Sequence, residues 1–405
     1  KIDEENDNPE ISIVINNLAL NYQDQGQYDK AEPLFIRALK IDEENNDPEI
    51  SIAINNLALN YRYQGQYDKA EPLFIRALKI NEKLFGRNHP KTSLVLHNLA
   101  SIYRDKGLLK KSEKLFIRAL NIDKNNLGPQ HPDTITTIRS LGEIYQSQAL
   151  YEKAESLLIE SLELSKKVLG PEHPKTAMAF TQLGSLYIDQ ALYSKAESNF
   201  LKALNIEEKI YGKNSYLLAD RLNDLGVLYL DKGLLKKSET FLLRALSLLD
   251  ESPDSNDPSL EVTLYNLGAV NYDIGMSIKA EKYFLRAIKI TENNLGNEHL
   301  DISRSLQFLG MIYMDQGLYD KAEPLLLRSL AINEKTLGPN HPDTSDSLDN
   351  LAGLYQDQGL YDKAETLFVR ALAIVEKVYE ADHPSISTKL NNLALLYMDQ
   401  GLYDK

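Results

Sequence analysis

Apolar residues recur along this chain at fixed offsets. With Leu351 as an anchor, Leu348 stands at −3, Ala352 at +1 and Tyr355 at +4. Offsets −3, 0, +1 and +4 mark one face of an α-helix. The same pattern recurs around Leu18, Leu57, Leu99, Leu141, Leu183, Leu225, Leu267, Leu309 and Leu393; the first interval is 39 residues and every later one 42. Position −3 is Ile, Leu or Phe, position +1 is Ala or Gly, and nine of ten copies carry Tyr at +4. The small +1 residue predicts close approach of a partner helix. A Gly or Ala at +8, such as Gly26, Gly317 and Gly401, suits a tight turn with positive φ. A second apolar stripe follows, Ala31, Phe35 and Ala38 in the first copy and Ala364, Phe368 and Ala371 in the ninth. Two amphipathic helices joined by a short turn predict an antiparallel hairpin.

A fixed period in this range predicts an all-α solenoid in which each unit touches only its neighbours. The units fall at about 9–47, 48–89, 90–131, 132–173, 174–215, 216–257, 258–299, 300–341 and 342–383, with a partial copy at 384–405. About nine hairpins and a lone terminal helix are therefore expected, as one domain. Between units runs Leu337-Gly338-Pro339-Asn340-His341-Pro342-Asp343-Thr344. Gly338 reads as the stop of one helix and Pro342 as the first residue of the next. Pro33, Pro72 and Pro324 sit inside second-helix patterns, where a missing N–H predicts a kink or a late helix start.

Charge and composition narrow the function. The net charge of −14 argues against nucleic acid as the main partner, since phosphate binding needs a basic face. Without Cys there are no disulfides or thiolate metal sites, which fits a reducing, cytoplasmic setting. No apolar run approaches 18 residues, so no membrane span is expected. Lys1–Asn6 resembles Lys40–Asn45, and the chain stops within a hairpin at Gly401–Lys405. A fragment of a longer array is expected, with end-to-end self-association through its uncapped ends.

The anchors, the small +1 residue, Tyr at +4 and the later Ala, Phe, Ala resemble the tetratricopeptide repeat (TPR). Trp, common at −3 in that pattern, is absent from the chain. The 42-residue unit, with Asn-Asn-Leu-Ala, Ala-Glu-Pro-Leu and Leu-Gly-Pro-x-His-Pro, is similar to the repeats of kinesin light chains. The resemblance covers essentially the whole chain and implies an α-α superhelix, a TPR solenoid, with first helices lining a concave groove. Offsets −5, −2, +2 and +5 resemble its ligand-facing positions. They include Asn16, Asn55, Arg62, His97, Arg104 and Arg139 early in the chain, and Asn223, Leu230, Tyr265, Tyr272, Met311, Met314 and Asn391 later. This predicts a groove with a basic first half and an apolar second half. Its ligand would be a protein segment with acidic residues flanking aromatic anchors.

The recurring Arg37, Arg76, Arg118, Arg244, Arg286, Arg328 and Arg370 are expected to pair within each repeat, with an acid such as Glu32. Six of seven His lie in inter-unit loops and are expected to cap or pack them. No metal, cofactor or catalytic motif is read: GxxxxGK[ST], HExxH, GxSxG and GxGxxG are missing from the sequence. The expected function is a non-enzymatic scaffold for partner peptides. The alternative is a regulatory or sensor arm of a larger effector enzyme with its catalytic domain elsewhere.

Overall fold

The computed structural model describes residues 9–45, 47, 49–252 and 257–402. The first eight residues of the chain, residues 253–256 of the acidic 250–257 loop and the last three residues fall outside these. The described chain is all-α, with no strand among the described residues. It divides into two compact units, 1–141 and 142–405.

Unit 1 takes in α1 (Pro9–Asp24), α2 (Tyr28–Glu44), α3 (Ile50–Tyr63), α4 (Tyr67–Leu84), α5 (Pro90–Asp105), α6 (Leu109–Asn126) and the start of α7 (Pro132–Ser147). Its core stacks Ala31, Phe35, Ile54, Ala58, Phe74 and Leu99 from consecutive hairpins. Unit 2 continues with α8 (Tyr151–Val168), α9 (Pro174–Asp189), α10 (Tyr193–Tyr211), α11 (Ala219–Asp231), α12 (Leu235–Asp250), α13 (Pro258–Asp273) and α14 (Ser277–Leu295). It then runs through α15 (Leu300–Asp315), α16 (Tyr319–Thr336), α17 (Pro342–Asp357), α18 (Tyr361–Val378) and α19 (Pro384–Asp399). Its central core joins Leu183, Leu186, Phe200, Leu222, Leu225 and Tyr229.

The +1 position sets the spacing inside each hairpin. A Cβ on Gly184 would lie 2.6 Å from the Phe200 ring, and one on Gly226 2.5 Å from Leu242. Only glycine permits those approaches. The +8 residue turns the chain with positive φ, 69° at Gly26 and 69° at Gly317. Ala149 and Ala191 hold the same conformation, at 56° and 55°.

The inter-unit motif works as a helix stop and start. Gly338 has φ 97°, and its carbonyl accepts the Thr344 hydroxyl at 2.9 Å. His341 Nδ1 accepts the Asp343 N–H at 3.0 Å, capping a helix whose first residue is Pro342. His89, His131, His173, His299 and His383 accept in the same way from the residue two positions on. Where Ser215-Tyr216 replaces His-Pro, a 3-10 turn spans Tyr216–Leu218 and α11 starts only at Ala219.

Two expectations are corrected. Helices α2, α4 and α16 do not start late: they begin at Tyr28, Tyr67 and Tyr319 and run through Pro33, Pro72 and Pro324. The acceptor freed by Pro33 is the Asp29 carbonyl, and both residues are exposed, so water can satisfy it. The recurring arginines do form ion pairs, but not within one repeat. Arg76 reaches Glu43, Arg118 Glu82, Arg244 Glu208, Arg328 Glu292 and Arg370 Glu334, each on the preceding hairpin's second helix. Glu32 and its equivalents instead accept the +4 tyrosine of the next hairpin: Tyr61 to Glu32 at 3.0 Å, Tyr187 to Glu155 at 2.7 Å, Tyr355 to Glu323 at 2.8 Å.

Candidate functional site

Unit 1 brings four of the expected groove residues together. Arg62 on α3 and Arg104 on α5 both reach Asp105, at 2.7 and 3.3 Å. His97 stands edge-on to Phe116 with ring centroids 5.0 Å apart. Burial pushes its imidazole down to about 4, aided by the neighbouring guanidiniums of Arg139, Arg104 and Arg62. His97 is therefore neutral at pH 7, and the positive charge is carried by the arginines. One of the expected ligand-facing offsets carries an apolar row not named above: Ile13, Ile52 and Leu94, 61%, 44% and 60% exposed. All three occupy offset −5, and Leu94 lies three residues before His97 on one face of α5.

Asn16 and Asn55 form a ladder with the following hairpins. Asn16 accepts from Asn56 at 3.1 Å, and Asn55 from Asn98 at 2.8 Å. In unit 2, Asn223 is buried and donates to Thr263 at 2.8 Å. Their amides thus tie first helices to one another. Asn391 is exposed on α19, apart from the other expected residues of unit 2.

Leu230, Tyr265 and Tyr272 gather around Phe308. The Phe308 ring meets Tyr265 at 5.6 Å, Tyr272 at 6.0 Å and Phe284 at 5.0 Å. Phe308 was missed, although the other copies carry Asn, Ser, Gln or Asp at this −1 position. That departure was the available signal. Met314 packs against the next hairpin's core and Met311 is half-buried.

A further regularity links consecutive hairpins. Residue +5 of one donates to the aspartate at +6 of the next: Arg62 to Asp105, Gln146 to Asp189 at 2.7 Å, Tyr272 to Asp315 at 2.6 Å and Gln356 to Asp399 at 2.5 Å. Burial, then the bond to Asp315, raises the Tyr272 phenol above its usual range. None of these clusters holds three metal-ligating side chains in reach of one ion, among the described residues. Nor is any helix there long and apolar enough to cross a membrane.

Stacked hairpins with a constant core and a varied first-helix surface define a repeat protein of the interaction-module class. The tetratricopeptide repeat profile matches residues 10–82, 49–125, 91–158, 136–209, 182–251, 301–357 and 346–405, and a second profile of the same description matches 262–294. The chain belongs to the tetratricopeptide repeat family, whose members are generally protein–protein interaction modules. No curated protein matches it significantly. Similar solved structures include BtubC (BKLC) from P. vanneervenii, 23% identical with a TM-score of 0.47, covering 55% of this chain and 90% of that one. A Podosopora anserina putative kinesin light chain with nearly identical TPR-like repeats is 23% identical, with a TM-score of 0.43 and coverage of 50% and 98%. PilW, a type IV pilus biogenesis factor, is 17% identical, with a TM-score of 0.43 and coverage of 64% and 100%.

Proposed function

We propose that this chain is a non-enzymatic scaffold that holds peptide segments of partner proteins against its first helices. One observation carries the reading: in unit 1 an exposed aliphatic row, Ile13, Ile52 and Leu94, stands on α1, α3 and α5, and α3 and α5 also carry Arg62 and Arg104 of the cationic cluster that acts on His97. An apolar side chain of the ligand covers the row, and a neighbouring carboxylate meets the guanidiniums. Neutral His97 adds an imidazole beside them without adding charge. In unit 2 the half-buried Leu230, Tyr265 and Tyr272 offer a separate surface for aromatic side chains.

The test is a peptide array probed with the wild-type chain and with Arg104→Glu and Tyr272→Ala variants. Arg104→Glu is expected to abolish capture of acidic peptides, and Tyr272→Ala to weaken capture of aromatic ones. Unchanged binding by both variants overturns the proposal.

A further inference from the structure

A second surface of unit 2 lies at the turns joining first to second helices. Helices α9, α11, α13, α15, α17 and α19 each end on an aspartate: Asp189, Asp231, Asp273, Asp315, Asp357 and Asp399. A carboxylate at a helix C-terminus faces the negative end of the helix dipole, which disfavours it. All six are exposed, and no Lys or Arg forms a salt bridge with them among the described residues. Three residues on, a large apolar side chain stands before the second helix. Leu234, Met276 and Leu318 are 46%, 50% and 39% exposed. Each occupies the N-cap of its helix and makes no side-chain capping bond there. Asp189, Asp315 and Asp399 take a side-chain bond from the preceding hairpin, but at Asp231, Asp273 and Asp357, beside exposed Leu234, Met276 and Leu360, two locally unfavourable choices stand side by side with no such bond, the pattern expected where function overrides local stability.

We propose that this turn edge docks a basic amphipathic helix of a partner protein. The apolar row receives the helix's aliphatic side chains and the aspartate row its lysines or arginines. The charge of the row fixes the sign of the partner. Packed helices sit about 10 Å apart, which is about seven residues of a helical ligand at ~1.5 Å each. A helix with Leu and Lys each recurring every seventh residue matches one pair per hairpin. The surface differs from the first-helix face proposed above in residues and in the charge it selects, so Arg104→Glu leaves it intact.

The probe is a fluorescein-labelled synthetic peptide with that Leu/Lys heptad, read by anisotropy against the full chain. A counterpart with Glu in place of Lys is the specificity control. The expected result is binding of the Lys peptide alone. An Asp231→Asn, Asp273→Asn, Asp357→Asn triple variant weakens it about tenfold or more, as does Met276→Ser with Leu318→Ser. These aspartates accept no hydrogen bond from a side chain that the fold needs, and matched circular dichroism confirms the variants are folded. A second triple, Glu163→Gln, Glu298→Gln and Glu376→Gln, makes the same charge change elsewhere and leaves binding within about twofold. Equal loss in both triples, or no binding of the Lys peptide, overturns the proposal. So does a dimer of this chain that Leu318→Ser dissociates, because the edge would then be a contact between copies.

Discussion

The Tyr272 hydroxyl donates to the Asp315 carboxylate across 2.6 Å, joining the end of one first helix to the end of the next. The same ring packs against Phe308. Tyr272 therefore has two separable roles. Tyr272→Phe keeps the ring and removes the bond, and is expected to lower stability by about 1–2 kcal/mol while leaving capture of aromatic peptides unchanged. Tyr272→Ala loses both. Urea denaturation alongside the peptide array separates them; equal loss of peptide capture in the two variants would show that the hydroxyl itself is the ligand contact.

Gly184 and Gly353 predict opposite outcomes for one substitution. Alanine at 184 drives a Cβ to 2.6 Å from the buried Phe200 ring, which must then shift within the core. Gly184→Ala is expected to destabilise by about 1–3 kcal/mol. At Gly353 the nearest atom to such a Cβ is the Met314 Cε, at 3.9 Å. Gly353→Ala then gains only helix propensity, about 0.5–1 kcal/mol of stabilisation. Hydrogen exchange of the local helices checks both, since hairpins unfold in coupled groups rather than all at once.

Ala149 and Ala191 stand at turn positions where the other complete hairpins carry glycine, with φ of 56° and 55°. A Cβ in the left-handed region costs about 1–2 kcal/mol. Ala149→Gly and Ala191→Gly relieve that cost, less the entropy glycine adds to the unfolded chain. Each is expected to raise the denaturation midpoint slightly, and the double variant to be additive. A fall in the midpoint would mean that the alanine methyl groups pack usefully despite the turn.

Much of this fold was legible in sequence because a single hairpin carries its own instructions. The −3, 0, +1, +4 face, the +8 turn and the Pro342 helix start depend on residues close in sequence. The partners of Arg370 and Tyr355 were not legible. They lie on the preceding hairpin, at Glu334 and Glu323, and periodicity within one unit does not fix which side chains meet between units. For the same reason, periodicity within one unit assigns no partner to the aspartates at +6. The Arg62, His97, Arg104 and Arg139 cluster was legible, because equal offsets on stacked helices converge. Its counter-charge, Asp105, was not.

Glu261 makes stability depend on pH in a window where little else does. It is partly buried on α13, and burial first, then the Asp301 carboxylate, push it up to about 8, against the pull of Arg304. Tyr265 lies within its field. In the unfolded chain the same carboxyl titrates near 4.5. Between those values the folded state holds a proton that the unfolded state has released, so stability falls as pH rises. Asp224, raised to about 6, acts with the same sign but is nearly spent by about pH 7. Glu197, held down to about 2 by hydrogen bonds from Lys232 and Tyr229, has the opposite sign: its contribution is present above 4.5 and is lost only as pH falls towards 2. His383, lowered by burial, affects only the acid side of its ordinary 6.5. From about pH 7 to 8 the Glu261 contribution stands clear. Glu261→Gln mimics the protonated form and has nothing to titrate. The wild-type denaturation midpoint is expected to fall across that window while the variant's stays flatter, leaving the variant the more stable at pH 8. Parallel profiles would show that Glu261 keeps an ordinary carboxylate pKa in the fold.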